Sequence, residues 1–518
     1  MFPDAPCAFD LALIVRHHAA ATPDAPALTF EGTTVSFAQL DEASSRVANA
    51  LTATGVGTGD RVAVLSKNTP EFFELAFACA KIGAIVVGLN WRLAPPEISA
   101  IVTDARPSVM FVSAPERTLF DPAAVPFELR TIELGTEYDA WKAGGSPLDP
   151  GGVGLPDDVC LLLYTSGTTG LPKGVMLTHR GVSFTARSAR EIWDMDAASV
   201  NIVAMPLFHI GGVGYSLSNM SQGGHTVLMR EVDTAAIIRA IEEHRVTHAF
   251  FVPSVIQLLL ATPGVDGADL TSLELLVYGA SPIGDAVLRQ AIDVFGCQFM
   301  HLYGMTEATG SVVGLPPEDH HPDGERSYLL RSCGKPLPWV ELRVIDPDRL
   351  DDVEGTAVGE IWVRSEAVTP GYWGKPNETA AAIVGDGWLR TGDAAYRDAD
   401  GYVYLFDRFK DMIVSGAENV YPAEVENVLA DHPAVAEVAV IGVPHDRWGE
   451  TVKAIVVLRP DHVVEPSELI AFARTRLGRF KCPTSIDFTE VLPRNASGKL
   501  LKKELRVAYW PADGRAIN

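Results

Sequence analysis

The strongest chemical signal in the sequence is a run of small and hydroxylated residues followed by a lysine. Residues 164–175 are YTSGTTGLPKGV, so two glycine-flanked hydroxyl pairs and Lys173 directly follow a predicted buried strand. Small residues let backbone N–H groups approach an anion closely, hydroxyls add donors, and lysine adds charge. The segment departs from the Walker A pattern, because Pro172 precedes the lysine and Gly174 follows it. We interpret it as a phosphate-binding loop.

The composition excludes several classes of protein. The chain has 518 residues, 47% of them hydrophobic, with 42 Lys+Arg against 66 Asp+Glu and a formal net charge of −24. Such a length predicts about two to four domains with substantial cores. A protein this acidic repels nucleic-acid phosphates, so we expect no nucleic-acid partner. The six cysteines are scattered without a CxxC pair, which favours reduced thiols over a disulfide framework or a zinc site.

Neither a targeting segment nor a transmembrane segment is expected. The first ten residues, MFPDAPCAFD, lack the basic region and the long apolar core of a signal peptide. The most apolar stretch, residues 75–89, is interrupted by Lys81 and is shorter than the ~20 residues of a spanning helix. We therefore expect a soluble, cytoplasmic protein, and we leave open whether it forms a homodimer.

Up to about residue 310, short apolar runs alternate with helical patterns. Apolar residues at helical spacing predict helices over residues 40–51 and 71–83. The apolar runs are typical of strands buried on both faces of a parallel sheet. These predicted strands cover residues 61–66, 84–90, 109–113, 160–165, 201–206, 247–253, 273–279 and 298–304.

Beyond residue 310 the pattern changes twice. Shorter runs between glycine-containing turns, at residues 340–346, 359–365 and 401–407, predict a small antiparallel sheet region. A separate alternation of strands and helices then begins at about Arg408. We therefore divide the chain into a large domain at residues 1–407 and a smaller domain at residues 408–518, and we predict an α/β fold.

Seven motifs in chain order resemble those of the adenylate-forming superfamily, which includes acyl- and aryl-CoA synthetases, luciferases and peptide-synthetase adenylation domains. After the loop at residues 164–175 they are MPLFHIGG (205–212), YGAS (278–281), YGMTE (303–307), GWLRTGD (387–393), DRFKDMIVSGAEN (407–419) and PRNASGK (493–499). The set covers nearly the whole chain. The resemblance implies a large N-terminal domain of parallel-sheet subdomains with a small β-region, followed by a smaller, mobile α+β C-terminal domain. It also implies an AMP-forming ligase that uses ATP, Mg²⁺ and CoA.

By this resemblance, most of the matched positions would bind ATP. The β- and γ-phosphates would be held by Thr165, Ser166, Gly167, Thr168, Thr169, Gly170 and Lys173. The adenine pocket would be lined by Gly279, Ala280, Ser281, Tyr303 and Gly304. Thr306 would contact the α-phosphate, and Glu307 would hold Mg²⁺, a cation that prefers carboxylate and phosphate oxygens. Asp393 and Arg408 would bind the ribose.

Two further residues resemble those that act on the carboxylate. Lys499 matches the adenylation lysine, and a cation there would stabilise the charge that develops as a carboxylate attacks the α-phosphate. His209 resembles the aromatic residue that gates the carboxylate site. We assign it a gating or positioning role rather than proton transfer.

The second half-reaction implies a thiol site in the C-terminal domain. By resemblance, this domain would rotate about Lys410, and Trp448 would lie near a pantetheine tunnel lined by Ser415, Gly416, Ala417 and Glu418. Ala417 stands where the family usually has glycine, which changes the expected tunnel. Residues 474–506 contain nine Lys/Arg and three Asp/Glu, a reversal of the global charge that could receive the phosphates of CoA.

The expected substrate is an apolar carboxylic acid. Gly304 stands where acetate-activating relatives have a blocking Trp, whereas Leu302 and Tyr215 would alter the width and direction of the pocket. We favour a fatty acid of medium or longer chain, with an aryl or alicyclic acid second. Transfer of the acyl-AMP to another acceptor stays open. A peptide-synthetase domain is disfavoured because Phe208 is followed by His209 instead of Asp, and a non-catalytic role because Lys173, Glu307 and Lys499 are all present.

Overall fold

Four β-sheets with flanking helices make up the fold. The computed structural model describes residues 9–165, 172–280, 283–353, 355–408, 411–415, 418–420, 422–445, 449–477, 479, 481–494 and 500–510. All structural statements below concern these residues.

The largest sheet has nine strands and a parallel centre. Its order is β15-β14-β13-β12-β11-β9-β10-β1-β2, and antiparallel pairs occur only at β1–β2, β13–β14 and β14–β15. The strands are β1 (Pro26–Phe30), β2 (Thr33–Ser36), β9 (Val200–Val203), β10 (His225–Leu228), β11 (His248–Phe251), β12 (Leu275–Gly279), β13 (Gln298–Met305), β14 (Gly310–Leu315) and β15 (Lys335–Pro336).

A second parallel sheet has six strands in the order β6-β5-β3-β4-β7-β8. Only the pair β7–β8 is antiparallel. The strands are β3 (Arg61–Leu65), β4 (Ile85–Leu89), β5 (Val109–Val112), β6 (Arg130–Glu133), β7 (Val159–Thr165) and β8 (Lys173–Thr178).

The two smaller sheets have five strands each. The first is antiparallel and contains β16 (Glu341–Ile345), β17 (Gly359–Arg364), β18 (Ile383–Val384), β19 (Trp388–Arg397) and β20 (Val403–Arg408). The second contains β21 (Ile413–Ser415), β22 (Glu418–Val420), β23 (Val435–His445), β24 (Gly449–Leu458) and β25 (Ser485–Phe488), with β25 parallel to β24.

The helices connect the strands and cover the sheets. They are α1 (Leu13–Ala21), α2 (Phe37–Ala53), α3 (Pro70–Ile82), α4 (Pro95–Ala105), α5 (Thr136–Ala143), α6 (His179–Glu191), α7 (Ile210–Ser221), α8 (Thr234–His244), α9 (Pro253–Leu260), α10 (Asp285–Phe295), α11 (Pro376–Ala382), α12 (Pro422–Ala430), α13 (Pro466–Arg474) and α14 (Lys502–Val507). None of these helices has the length and apolarity that crossing a bilayer requires.

Local sequence explains where several helices begin and end. Helix α2 starts with a capping box, in which the Ser36 hydroxyl accepts from the Gln39 N–H and the Gln39 side chain accepts from the Ser36 N–H. Helix α3 has Pro70 in its first turn and ends at Gly83, whose φ of 72° lies in the left-handed region. Most of α3 is buried, because it packs inside the largest hydrophobic cluster.

The α/β class, the parallel strands and the later antiparallel region are confirmed. Each of the eight strands predicted before residue 310 is present within a few residues of its expected bounds. The sequence analysis did not predict the short strands β1, β2, β6 and β10, nor that Lys173 begins a strand, β8. The domain boundary at residues 407/408 stays a prediction; it falls at the end of β20, the last strand of the antiparallel sheet.

Buried and half-buried histidines make stability depend on pH. Burial lowers the pKa of His209, His225, His301 and His320 to about 4. Between the ordinary pKa of about 6.5 and pH 4, the unfolded chain therefore binds protons that the folded chain does not, and the free energy of unfolding falls as pH falls. Above pH 6.5 these groups are neutral in both states and contribute no pH dependence.

We predict that the free energy of unfolding does not depend on pH just above neutral pH. Below about pH 6.5 it should decrease as the pH is lowered, by up to about 1.4 kcal/mol per pH unit for each such histidine. Urea unfolding at a series of pH values measures it. His225→Gln should reduce the slope, whereas the exposed His462→Gln should leave it unchanged. A free energy of unfolding that increases toward acid pH would contradict the prediction.

Candidate functional site

Four neighbouring parallel strands bring one group of the predicted site residues to one edge. Strands β9, β11, β12 and β13 are adjacent and parallel, so their carboxyl ends lie along the same side of the nine-stranded sheet. His209 lies shortly after β9, Ala280 follows β12, and Thr306 follows β13. Open α/β sheets bind ligands outside the carboxyl ends of their strands.

Glycine at positions 279 and 304 is required by the backbone itself. A Cβ on Gly279 would lie 2.3 Å from the carbonyl oxygen of Leu302, and one on Gly304 would lie 2.0 Å from that of Gly310. The pairing of β13 with β14 also shifts register between Tyr303 and Gly304. Gly304 was expected to keep the acyl pocket open; close strand packing is a second reason for it.

Tyr303 and Asp393 join the nine-stranded sheet to the antiparallel sheet. The Tyr303 hydroxyl donates to the Asp393 carboxylate at 2.7 Å. Burial, and then the Asp393 charge, raise the pKa of Tyr303 well above its ordinary value, so the phenol keeps its proton. The backbone of Asp393 pairs with that of Arg408 across β19 and β20. Two predicted nucleotide-binding residues are therefore in direct contact.

Ala280 has a φ of 67°, a left-handed conformation that is unfavourable for a residue with a Cβ. Such strained positions persist where the surrounding structure imposes them, and they concentrate at functional sites. Ala280 lies directly after β12, inside the predicted adenine-binding motif. Its neighbour in that motif, Ser281, lies outside the described residues.

The predicted phosphate loop connects the antiparallel strands β7 and β8. Thr165, the last residue of β7, pairs with Lys173, the first residue of β8. The loop residues Ser166, Gly167, Thr168, Thr169 and Gly170 lie between them, outside the described residues. Lys173 is half-buried, and its Nζ lies 5.1 Å from the centre of the Tyr372 ring.

A short segment, residues 369–373, fastens this hairpin to the edge of the nine-stranded sheet, and we call it the clasp. On one side, the Trp373 N–H donates to the Gly174 carbonyl at 2.8 Å, and the Thr369 hydroxyl donates to the Met176 carbonyl at 2.6 Å. On the other side, the Thr369 N–H donates to the Glu307 carbonyl at 2.8 Å. The clasp therefore fixes β8 relative to the turn at residues 306–308.

Tyr372 is a site residue that the sequence analysis did not predict. Its hydroxyl donates to Glu307 Oε1 at 3.0 Å, while its ring lies beneath Lys173. Glu307 is only 8% exposed, so its carboxylate direction is set by this contact and by the packed turn that carries it. The sequence signal for Tyr372 was weak, since GYW follows TP without helical or strand periodicity.

His209 precedes the first residue of α7, and its ring contacts Phe208 at 4.6 Å between centroids. Its Nε2 is buried without a hydrogen-bond partner among the described residues. Burial, with a smaller contribution from the charge of Arg92, lowers the pKa of His209 to about 4. The ring is therefore neutral at pH 7 and can gate or position a carboxylate, but it does not offer a positive charge.

The predicted adenylation lysine and part of the predicted thiol site fall on residues that the structure does not describe. Lys410, Gly416, Ala417, Trp448 and Lys499 lie outside the described residues. The backbone of Ser415 pairs with Glu418 in the adjacent strand and with Gly449. The predicted roles of these residues are untested by the geometry.

Several cations of the basic segment 474–506 are paired with carboxylates. Lys481 contacts Glu424 at 2.7 Å, and Arg506 contacts Asp411 at 2.8 Å. Arg494 and Lys502 also form ion pairs. The segment therefore presents less uncompensated positive charge than its composition indicates.

Comparison with known proteins decides the family. The model of the AMP-binding enzyme family matches residues 15–373, and that of the AMP-binding enzyme C-terminal domain matches residues 424–499. The chain belongs to the AMP-binding enzyme family. As a member it is an adenylate-forming acid–thiol ligase that binds ATP.

Similar proteins extend over nearly the whole chain. Fatty acid–[acyl-carrier-protein] ligase ScoC of Streptomyces coeruleorubidus is 41% identical, covering 97% of this chain and 96% of the relative. Feruloyl-CoA synthase of an Amycolatopsis species is also 41% identical, covering 94% and 96%. The structure of the anthranilate CoA ligase AuaEII with anthranoyl-AMP superposes with a TM-score of 0.90 at 27% identity, covering 98% of both chains. The architecture of large and small domains is that of this family.

We predict that Tyr372→Phe weakens ATP binding in the presence of Mg²⁺ by about tenfold or more, because a hydrogen bond to a charged group contributes about 1.5–3 kcal/mol. Without Mg²⁺ the loss should be much smaller, since the ring under Lys173 remains. Equilibrium dialysis of ATP with and without Mg²⁺ measures both.

Tyr138→Phe is the matched control, because the Tyr138 hydroxyl donates to Glu74 at 2.7 Å in a different part of the fold. It should leave both affinities unchanged. Equal losses for Tyr372→Phe with and without Mg²⁺ would show that the hydroxyl does not act through Glu307.

Proposed function

We propose that the chain is an ATP-dependent CoA ligase for an apolar carboxylic acid. A carboxylate oxygen of the acid attacks the α-phosphorus of ATP and pyrophosphate leaves; the CoA thiol then attacks the acyl carbonyl and AMP leaves. The observation that supports the proposal is the meeting of Lys173, Tyr372 and Glu307, in which the lysine cation lies over the face of the Tyr372 ring and the Glu307 carboxylate accepts from its hydroxyl.

We assign the nucleotide contacts from this geometry together with the family resemblance. Lys173 and the loop after Thr165 hold the β- and γ-phosphates. Asp393, oriented by the Tyr303 hydroxyl, accepts hydrogen bonds from the ribose hydroxyls, with Arg408 opposite it in the neighbouring strand. Thr306 contacts the α-phosphate at the carboxyl end of β13.

Glu307 is the proposed ligand for Mg²⁺. The described residues contain no group of three or more His, Cys, Asp or Glu side chains that could hold a metal by themselves. A single buried carboxylate fits Mg²⁺ nonetheless, because this ion is commonly bound by one or two carboxylates together with substrate phosphates. When bound, Mg²⁺ would neutralise phosphate charge as pyrophosphate leaves.

A fatty acid of medium or longer chain is the first candidate substrate. Helix α7, which follows the proposed carboxylate-gating His209, contains no Asp, Glu, Lys or Arg. An uncharged wall favours an apolar tail. The similar ligase from Streptomyces coeruleorubidus is named for fatty acids, which supports this candidate.

An aryl acid is the second candidate, and a specific observation favours it. The rings of Trp193, Tyr215 and Phe250 contact one another in sequence, with centroid distances of 5.5 and 5.8 Å. Flat rings stack well against a planar substrate. The similar feruloyl-CoA synthase is named for an aryl acid.

The proposed acceptor is CoA, with a carrier-protein thiol as the alternative. The names of the similar feruloyl-CoA synthase and anthranilate CoA ligase support CoA, whereas that of ScoC supports a carrier protein. Both acceptors present a thiol to the same acyl-adenylate, so the first half-reaction does not separate them.

We predict that the protein with ATP, Mg²⁺ and a panel of fatty and aryl acids releases pyrophosphate, and that added CoA yields AMP and an acyl-CoA. Coupled pyrophosphate detection and mass spectrometry of the thioester measure the two steps. Several chain lengths should be accepted, because one methylene contributes only about 1–3 kcal/mol. Pyrophosphate release without any acyl-CoA would overturn CoA as the acceptor.

A lysine variant separates the half-reactions. Lys499→Ala should reduce adenylation by at least about a hundredfold, since the lost cation stabilises the developing charge, yet leave thioester formation from a supplied acyl-adenylate nearly intact. The exposed Lys503→Ala is the matched control and should affect neither step. Equal losses in both steps for Lys499→Ala would refute the proposed division of labour.

A further inference from the structure

Two buried polar side chains next to the proposed acyl site have no internal hydrogen-bond partner. Among the described residues, Tyr215 Oη and Trp193 Nε1 are both enclosed and unpaired. Tyr215 is 4% exposed and Trp193 is 7% exposed. Their rings are in contact, with centroids 5.5 Å apart. Buried polar groups in native proteins are nearly always paired, so two neighbouring exceptions indicate a missing partner.

Hydrogen bonds to their backbones hold both residues in place. The Asn201 side chain donates to the Tyr215 carbonyl at 3.2 Å. His248 Nε2 lies 2.9 Å from the Trp193 carbonyl. The backbones are thus fixed while the side-chain donors are unpaired. A rigid pair of donors is what recognition of a ligand atom requires.

The pair lies beside the amino-terminal ends of β9 and β11, two of the strands whose carboxyl ends form the candidate site. Gly304 is exposed at the opening, and Gly211 and Phe250 are half-buried. A Cβ on Gly211 would lie 3.0 Å from the Phe250 ring, which in turn contacts Tyr215 at 5.8 Å between centroids. Exposure therefore decreases from the half-buried Gly211 and Phe250 to Tyr215, which is 4% exposed.

Packing alone does not account for the two polar atoms. A phenylalanine at position 215 would make the same ring contacts with Trp193 and Phe250 without burying a hydroxyl. Burial alone raises the pKa of Tyr215 well above its ordinary value, so the hydroxyl stays protonated and available as a donor. Trp193 Nε1 can only donate. The group that satisfies both is therefore a hydrogen-bond acceptor.

We propose that Tyr215 and Trp193 bind a neutral oxygen at the far end of the acid substrate. The inference rests on the proposed function and narrows its substrate class to acids whose tail ends in a hydroxyl, methoxy or carbonyl group. A carboxylate end is disfavoured, because α7 carries no Lys or Arg to balance it. The axial rise of α7 from Ile210 to Tyr215 is ~7.5 Å, which sets the scale of the acid lengths tested below.

Matched acids test the proposal on the unmodified enzyme. The pairs are 4-hydroxycinnamate with 4-methylcinnamate, and 8-hydroxyoctanoate with nonanoate, in which a methyl group replaces the hydroxyl. We expect kcat/KM for pyrophosphate release to be at least tenfold higher for the oxygen-bearing member of one pair. The pair that shows the preference identifies the tail as aryl or aliphatic. A preference of less than threefold in both pairs overturns the proposal.

Substitutions then test whether Tyr215 and Trp193 recognise the tail oxygen. Tyr215→Phe and Trp193→Phe should each reduce the preference toward unity by lowering kcat/KM for the oxygen-bearing acid, with little change for its methyl analogue. Because the Tyr215 hydroxyl has no internal partner to lose, Tyr215→Phe should not lower the Tm of the ligand-free protein. Tyr138→Phe, which removes a hydroxyl bonded to Glu74, is the control and should leave the preference unchanged.

These experiments distinguish failure of the proposed function from failure of the oxygen-recognition proposal. If no acid in the panel releases pyrophosphate, the proposed function itself fails. If acids react but Tyr215→Phe leaves the preference intact, or lowers Tm as loss of an internal hydrogen bond would, then the oxygen-recognition proposal alone is wrong.

Discussion

The site depends on hydrogen bonds that hold the two parallel sheets in a fixed position relative to each other. The clasp bonds to β8 of one sheet and to the turn after β13 of the other, and the chain then continues into the antiparallel sheet. Apolar packing between sheets is non-directional and tolerates sliding, whereas backbone hydrogen bonds do not. In the proposed function a triphosphate would span Lys173 and Glu307, which requires their separation to be constant. Tyr372 contacts both side chains and therefore holds the lysine cation and the carboxylate in a fixed arrangement.

The electrostatics of the molecule are local. Its net charge of −24 opposes every anionic substrate, but charges farther apart than about 8 Å are largely screened at physiological salt. A few cations beside the phosphates therefore outweigh the distant carboxylates. The ion pairs of Lys481 and Arg506 show that a basic composition does not by itself make a basic surface. The attraction of the 474–506 segment for an anion depends on which of its cations are left uncompensated, not on their number.

The sequence predicts elements that are encoded by local patterns. It does not predict contacts between residues that are distant in sequence and meet only when the sheets pack together. Buried parallel strands are visible as apolar runs, so the apolar pattern alone locates the edge that carries Gly279, Gly304 and Thr306. The role of Tyr372 could not be predicted from such a pattern, because its partners Lys173 and Glu307 are distant in sequence and contact it only through the packing of the sheets. The requirement for glycine at position 304 was likewise predicted for the pocket alone, since the approach of the Gly310 carbonyl has no sequence signature.

Counting charges also misjudges a buried binding site. An uncharged helix such as α7 predicts an apolar wall, yet neutral donors such as Tyr215 Oη and Trp193 Nε1 leave no trace in a charge count. An unpaired buried donor costs about 1–3 kcal/mol, comparable to the transfer of a few methylene groups. A wall that carries two such donors therefore favours an oxygen-bearing tail over a purely apolar one, which its composition does not indicate. Binding energy gained at the tail can also be used at the carboxylate, because an acid held at its far end presents its carboxylate to ATP in a defined position. Recognition at Tyr215 would thus act on the rate of adenylation as well as on affinity.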